Sequence, residues 1–124
     1  MNSTTFTLNS RTTLQVTSTA EATEVAIAGE LDWSCTDRLR RHLHDELRLL
    51  PRALILDLDA VTFCSAHSIR VLVDTALHAR AAGIPYVISR RSQVVQRLIK
   101  LLKLELVLPF HGTAAGARQA VQPP

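Results

Sequence analysis

With 124 residues, the chain holds enough for one hydrophobic core of ordinary size and too few for two. Apolar residues make up 47% and aromatics only 4%, so that core must be built from Leu, Val, Ile and Ala, and no apolar run approaches the roughly 20 residues of a membrane span. The net charge of +3 comes with twelve arginines among fourteen basic residues, clustered at Arg38, Arg40, Arg41 and Arg48 and again at Arg90, Arg91, Arg97, Lys100 and Lys103. Without stacking aromatics or a reading motif beside them, they predict solvated helix faces and not a nucleic-acid interface. MNSTTFTLNS has neither a basic start nor an apolar h-region, and Cys35 and Cys64 stand alone with no CxxC and no histidine at ligand spacing. The expectation is a single cytoplasmic domain with reduced thiols, no disulfide, no metal site and no cofactor.

The first strand is expected over Thr5 to Leu8, turning through Asn9-Ser10-Arg11 into Thr12 to Thr19, where Leu14 and Val16 alternate with polar residues. Ser18 to Ala22 reads as a hairpin break before Thr23 to Leu31, so the chain opens as an antiparallel β segment. Leu39, Leu43, Leu47 and Leu50 then fall on one stripe of a helix, capped by Ser34 or Asp32 and closed by Pro51. Ala53 to Leu58 predicts a buried central strand that delivers the chain to a loop. Ile69, Leu72, Val73, Ala76, Leu77 and Arg80 give a second helix running from Ser65 to a stop at Gly83. Ile84 to Ser89 is another buried strand, and Val94 to Leu102 carries a third helix. Val107 to Phe110 reads as an edge strand because Pro109 interrupts it. Thr113 to Val121 predicts a fourth helix, with Gln122 to Pro124 frayed. Strands separated by helices imply a sheet with a parallel part joined by right-handed crossovers.

Two stretches carry most of the chemistry: Gly29-Glu30-Leu31-Asp32 at the end of a strand, and Asp57 to Ser68 before the second helix. Ser65 is a natural N-cap there, and Ser65, His67 and Ser68 sit where the partial positive charge of a helix start favours an anion. Asp32 reads from its position as a cap of the Leu39 helix. Trp33, the only tryptophan, reads as an exposed anchor or as a half-buried staple.

GELD, a helix, and then LILDLDAVTFCSAHSIRVLVDTALHARAAGIPYVIS together resemble the STAS domain of anti-anti-sigma factors, over roughly residues 5 to 121. The resemblance implies an α/β fold, a mixed β-sheet packed on one side by about four helices. It further implies a protein that binds an anti-sigma factor, a GHKL-type serine kinase, and so releases a sigma factor. In that family a serine at the helix start, within D-L-S-x-V-x-F-x-D-S-S-G-L, is phosphorylated by the kinase, and the phosphorylated form lets go. Here Asp57, Leu58, Val61 and Phe63 fit the pattern, but Ser65 takes the Asp position, Ala66 the first Ser, His67 the phosphoserine, Ser68 the Gly, Ile69 the Leu and Arg70 a small-residue position.

Three outcomes follow from that departure. Ser65 or Ser68 accepts the phosphate in a shifted register, or the site is unregulated, or the domain serves a different partner. The implied partner surface comprises Asp32, Trp33, Ser65, His67, Ser68 and Arg70. On this reading Asp32→Arg and Ser68→Asp weaken binding without moving the thermal unfolding midpoint.

An enzyme is disfavoured: Ser65 and His67 are two apart with no third partner, and no P-loop, G-x-G-x-x-G or H-E-x-x-H occurs. A two-component receiver domain fits LILDLD but lacks an acidic pair after its first strand and a Lys at a late strand end. The alternative within the fold is a STAS-like subunit of a lipid-transport ATPase or of a stress-signalling complex. The sequence leaves the cognate partner and the oligomeric state open.

Overall fold

The polar–apolar alternation at the start of the chain folds into three antiparallel strands, β1 (Asn2–Asn9), β2 (Thr12–Ser18) and β3 (Thr23–Leu31). The computed structural model describes residues 2–89, 92–108 and 110–111. Both hairpin turns are held by side chains that accept from the backbone: Asn9 Oδ1 takes the Arg11 amide at 2.8 Å, and Thr19 Oγ1 takes the Ala22 amide at 3.2 Å. β1 starts earlier than expected because Asn2, Ser3 and Thr4 pair with Ser18, Thr17 and Val16.

After a 3₁₀ turn at Trp33–Cys35 come α1 (Thr36–Arg48), β4 (Leu54–Cys64), α2 (Ala66–Ala81), β5 (Tyr86–Ser89), α3 (Gln93–Leu101) and β6 (Phe110–His111). The sheet runs in the order β1-β2-β3-β4-β5-β6, antiparallel through β3 and parallel from β3 onward, so it is mixed as expected. Leu54, Leu56, Leu58, Tyr86 and Ile88 point to one face, where Leu39, Leu43 and Leu47 of α1, Ile69 and Leu72 of α2, and Val95 and Ile99 of α3 meet them in one cluster. Ile55 and Val87 alternate to the other face and pack with Ala22 and Ala53. All three described helices therefore cover the same side of the sheet.

Several expectations need correction. β4 does not end at Leu58 in a loop; it continues to Cys64 beside β3. Two β-bulges make this possible, because β4 spends three residues from Asp57 to Ala60 against two on β3, and again two from Val61 to Phe63 against one. Leu50 is not on the buried stripe of α1. It is exposed with φ 54°, its amide donating to the Leu47 carbonyl at 3.0 Å, so the helix stops ahead of Pro51. α2 ends as predicted: Gly83 at φ 71° lets the Ile84 amide reach the Ala79 carbonyl at 2.8 Å. The edge strand falls at β6, three residues later than the expected start at Val107, since Val107 and Leu108 donate back to the Leu104 carbonyl at 3.1 and 2.9 Å. The predicted fourth helix, Thr113 to Val121, lies outside the described residues, as do Arg90, Arg91 and Pro109.

Candidate functional site

Parallel pairing of Leu31 with Cys64 brings the ends of β3 and β4 together, so the Asp32 turn and the start of α2 lie side by side. This is the carboxyl end of the parallel strands, where open α/β sheets place their ligands. Gly29 fixes the approach. Its φ of 109° belongs to glycine, and a Cβ there would run into the Arg11 carbonyl of the β1–β2 turn. A Thr12 hydroxyl donating to the Glu30 carbonyl at 2.5 Å, and an Arg11–Glu30 ion pair at 3.2 Å, continue the stitching.

Asp32 caps the 3₁₀ turn, accepting from the Ser34 amide at 2.9 Å and from the Ser34 hydroxyl at 2.5 Å. Asn9 Nδ2 in turn donates to Ser34 Oγ at 3.3 Å, so the turn leans on the first hairpin. Trp33 is not the half-buried staple of the second reading: the residue is 75% exposed.

Ser65 is the N-cap of α2, its hydroxyl accepting from the Ser68 amide at 3.1 Å. Ser68 is fully buried, at 0% exposure, and its hydroxyl donates to the Leu31 carbonyl at 2.9 Å, with the Asp32 carbonyl at 3.4 Å. Ser65 Oγ donates to Ser68 Oγ at 3.1 Å, and the Ser65 amide donates to the Leu31 carbonyl at 2.9 Å. Both hydroxyls thus belong to the lock that ties α2 to the end of β3. A carboxylate at position 68 would be buried facing two carbonyls, so the expectation that Ser68→Asp leaves the unfolding midpoint unmoved is corrected: the change disrupts the lock.

Ala66, His67 and Arg70 are exposed on the outer side of the same turn. Phe63, 48% exposed, joins Trp33 on this end of the sheet and was not singled out from the sequence. In an unbroken strand it would share the buried face of Val61; the bulge between them turns it outward, and no residue type announces that bulge. Beneath the surface, burial pushes both thiols up, Cys64 to about 12 and Cys35 to a lesser degree with Asp32 adding to it, so neither is a thiolate at neutral pH.

The arrangement is a rigid shelf with an aromatic and cationic outer face. Ser65 and His67 point to different surroundings, one into the lock and one into solvent. Among the described residues no three His, Cys, Asp or Glu side chains gather where a metal ion could be held, and no helix is long and apolar enough to cross a membrane.

The family model of the STAS domain matches residues 13–117. A search of curated proteins found no match. Among solved structures, the chain is similar to an anti-sigma factor antagonist from Mycobacterium paratuberculosis, with 24% identity, a TM-score of 0.78, and 89% of this chain and 93% of that one covered. It is also similar to a variant of RsbS from Moorella thermoacetica (19% identity, TM-score 0.73, 87% and 93% covered). The anti-sigma factor antagonist SpoIIAA of Bacillus, in its unphosphorylated form, matches at 13% identity with a TM-score of 0.70, covering 86% of this chain and 95% of that one. At these identities the likeness carries the fold.

Proposed function

The chain belongs to the STAS domain family, and from that premise we propose that it is an anti-sigma factor antagonist whose partner is an anti-sigma factor of the GHKL serine-kinase type. The observation that carries this reading is the juxtaposition of the Asp32 turn with the α2 start, which presents Trp33, Phe63, His67 and Arg70 on one side of a rigid shelf. An exposed Trp, with an exposed Arg on the neighbouring helix start, supplies the residue types enriched in binding hot spots. Asp32, Ser65 and Ser68 act from behind, holding that face in place.

On this reading the antagonist binds without a phosphate switch. His67 occupies the position of the family's phosphoserine, and the two nearby serines are poor substitutes. Ser68 is sealed, and Ser65 must leave its cap before its hydroxyl could reach a kinase. A phosphate on Ser65 would add roughly −1.5 to −2 charges and dismantle the cap at once.

Affinity capture from the native cytoplasm, with intact-mass analysis of the recovered chain, tests this. The expected result is an anti-sigma kinase bound to unmodified protein. The same kinase with a phosphate mapped to Ser65 would replace the unregulated reading with a shifted switch. Recovery of a transport ATPase or a stress-signalling complex, with no anti-sigma kinase, would overturn the role.

A further inference from the structure

Helix α2 carries an apolar flank that the core covers only in part, with Ile69 buried, Val73 packed against the core and Leu77 exposed. The helix turns Ser68, Leu72, Thr75 and Ala79 toward the sheet, which leaves Val73 half-buried and Leu77 exposed one turn further on. The chain leaving α3 runs alongside. Between the two lies a hollow of about 310 Å³ floored by Ile69, Val73, Leu102 and Leu104. A second hollow of about 300 Å³ continues along the helix between Ala76 and Val107. Arg70 lines the first and Arg80 the second, both exposed, and neither joins an ion pair among the described residues. Ten residues of helix separate them by about 15 Å.

We propose that this groove receives an amphipathic helix of a protein partner, one that carries two acidic residues about three turns apart beside an apolar stripe. The two hollows in line are long and open, which suits a helix laid lengthwise with its i, i+3/i+4 and i+7 side chains on the apolar floor. Two unpaired cations at a matching spacing select carboxylates at the rim and reject a basic helix. Leu102, which lines the first hollow, is itself 43% exposed. The groove extends the Trp33–Arg70 surface, and rests on the proposed function only in taking the Arg70 end of α2 to face a partner.

The probe is a fluorescent synthetic helix of about four turns, with a leucine stripe and glutamates set about 15 Å apart, together with its lysine counterpart. Anisotropy should report saturable binding of the glutamate peptide to the wild-type protein. Arg70→Glu combined with Arg80→Glu should weaken it on the order of tenfold and shift preference to the lysine peptide. Both arginines are exposed, so circular dichroism should stay unchanged. No saturable binding, or equal affinity after charge reversal, would overturn the proposal. So would saturation by anionic phospholipid vesicles in place of the peptide. The peptide titration uses no kinase, so its failure leaves the kinase reading at the Asp32 turn standing, and a capture without the kinase leaves the peptide result standing; Arg70 belongs to both surfaces, and Arg80→Glu alone separates them.

Discussion

Ser68 donates to the Leu31 carbonyl from a fully buried position. Ser68→Ala should therefore cost about 0.5–1.5 kcal/mol in urea unfolding, because the Leu31 carbonyl keeps the Ser65 amide but loses one of its two donors. Ser68→Asp should cost more, since it also buries a charge. Gly29→Ala should be worse than an ordinary glycine substitution, lowering stability by about 2 kcal/mol or more, because φ 109° and the Arg11 carbonyl both oppose a Cβ. Asp32→Arg removes a cap and should lower stability by about 1 kcal/mol, so a loss of binding in that variant needs this correction. Trp33→Ala is the cleaner probe: its side chain meets solvent, and stability should move by no more than about 0.5 kcal/mol.

Most elements were legible because their periodicities are undisturbed. Leu39, Leu43 and Leu47 define α1, Ser65 and Gly83 bracket α2, and Asn9 and Thr19 close the hairpins. β4 was not, because two bulges convert an Asp-rich stretch that looks like a loop into a paired strand. The same bulges hid Phe63, so the site's residues near caps were readable and its aromatic face was only half so. Helix ends follow local backbone geometry that composition hides: Leu50 and Lys103 both adopt left-handed φ, at 54° and 57°. Lys103→Gly should raise stability by about 0.5–1 kcal/mol by relieving that strain. Between α1 and α2, His44 and His78 rings stand 4.7 Å apart, and His44 Nε2 is buried without a hydrogen-bond partner. Burial, then the charges of His78 and Arg40, hold the His44 pKa below its ordinary 6.5, against the opposing Asp74 and Asp45. The folded protein thus binds fewer protons than the unfolded chain, so stability is complete above pH 6.5 and falls as pH drops through it toward the folded value. His42 is lowered in the same direction, mainly by burial. The unfolding midpoint should decline as pH falls below about 6.5, and His44→Asn should flatten part of that slope.

At the scale of the whole molecule, the described helices cover one face of a mixed sheet, and the carboxyl ends of β3 and β4 lie side by side at one end of it. The outer face holds Trp33, Phe63, His67 and Arg70, and the hydroxyl lock behind it needs no phosphate to stay closed. The central claim is that this face binds an anti-sigma kinase. It is tested most directly by titrating an anti-sigma kinase obtained by affinity capture with wild-type protein and with Trp33→Ala, alongside their unfolding midpoints. The account predicts unchanged midpoints and a loss of about 2 kcal/mol in binding, close to thirtyfold in affinity. Equal affinities for the two proteins would contradict it.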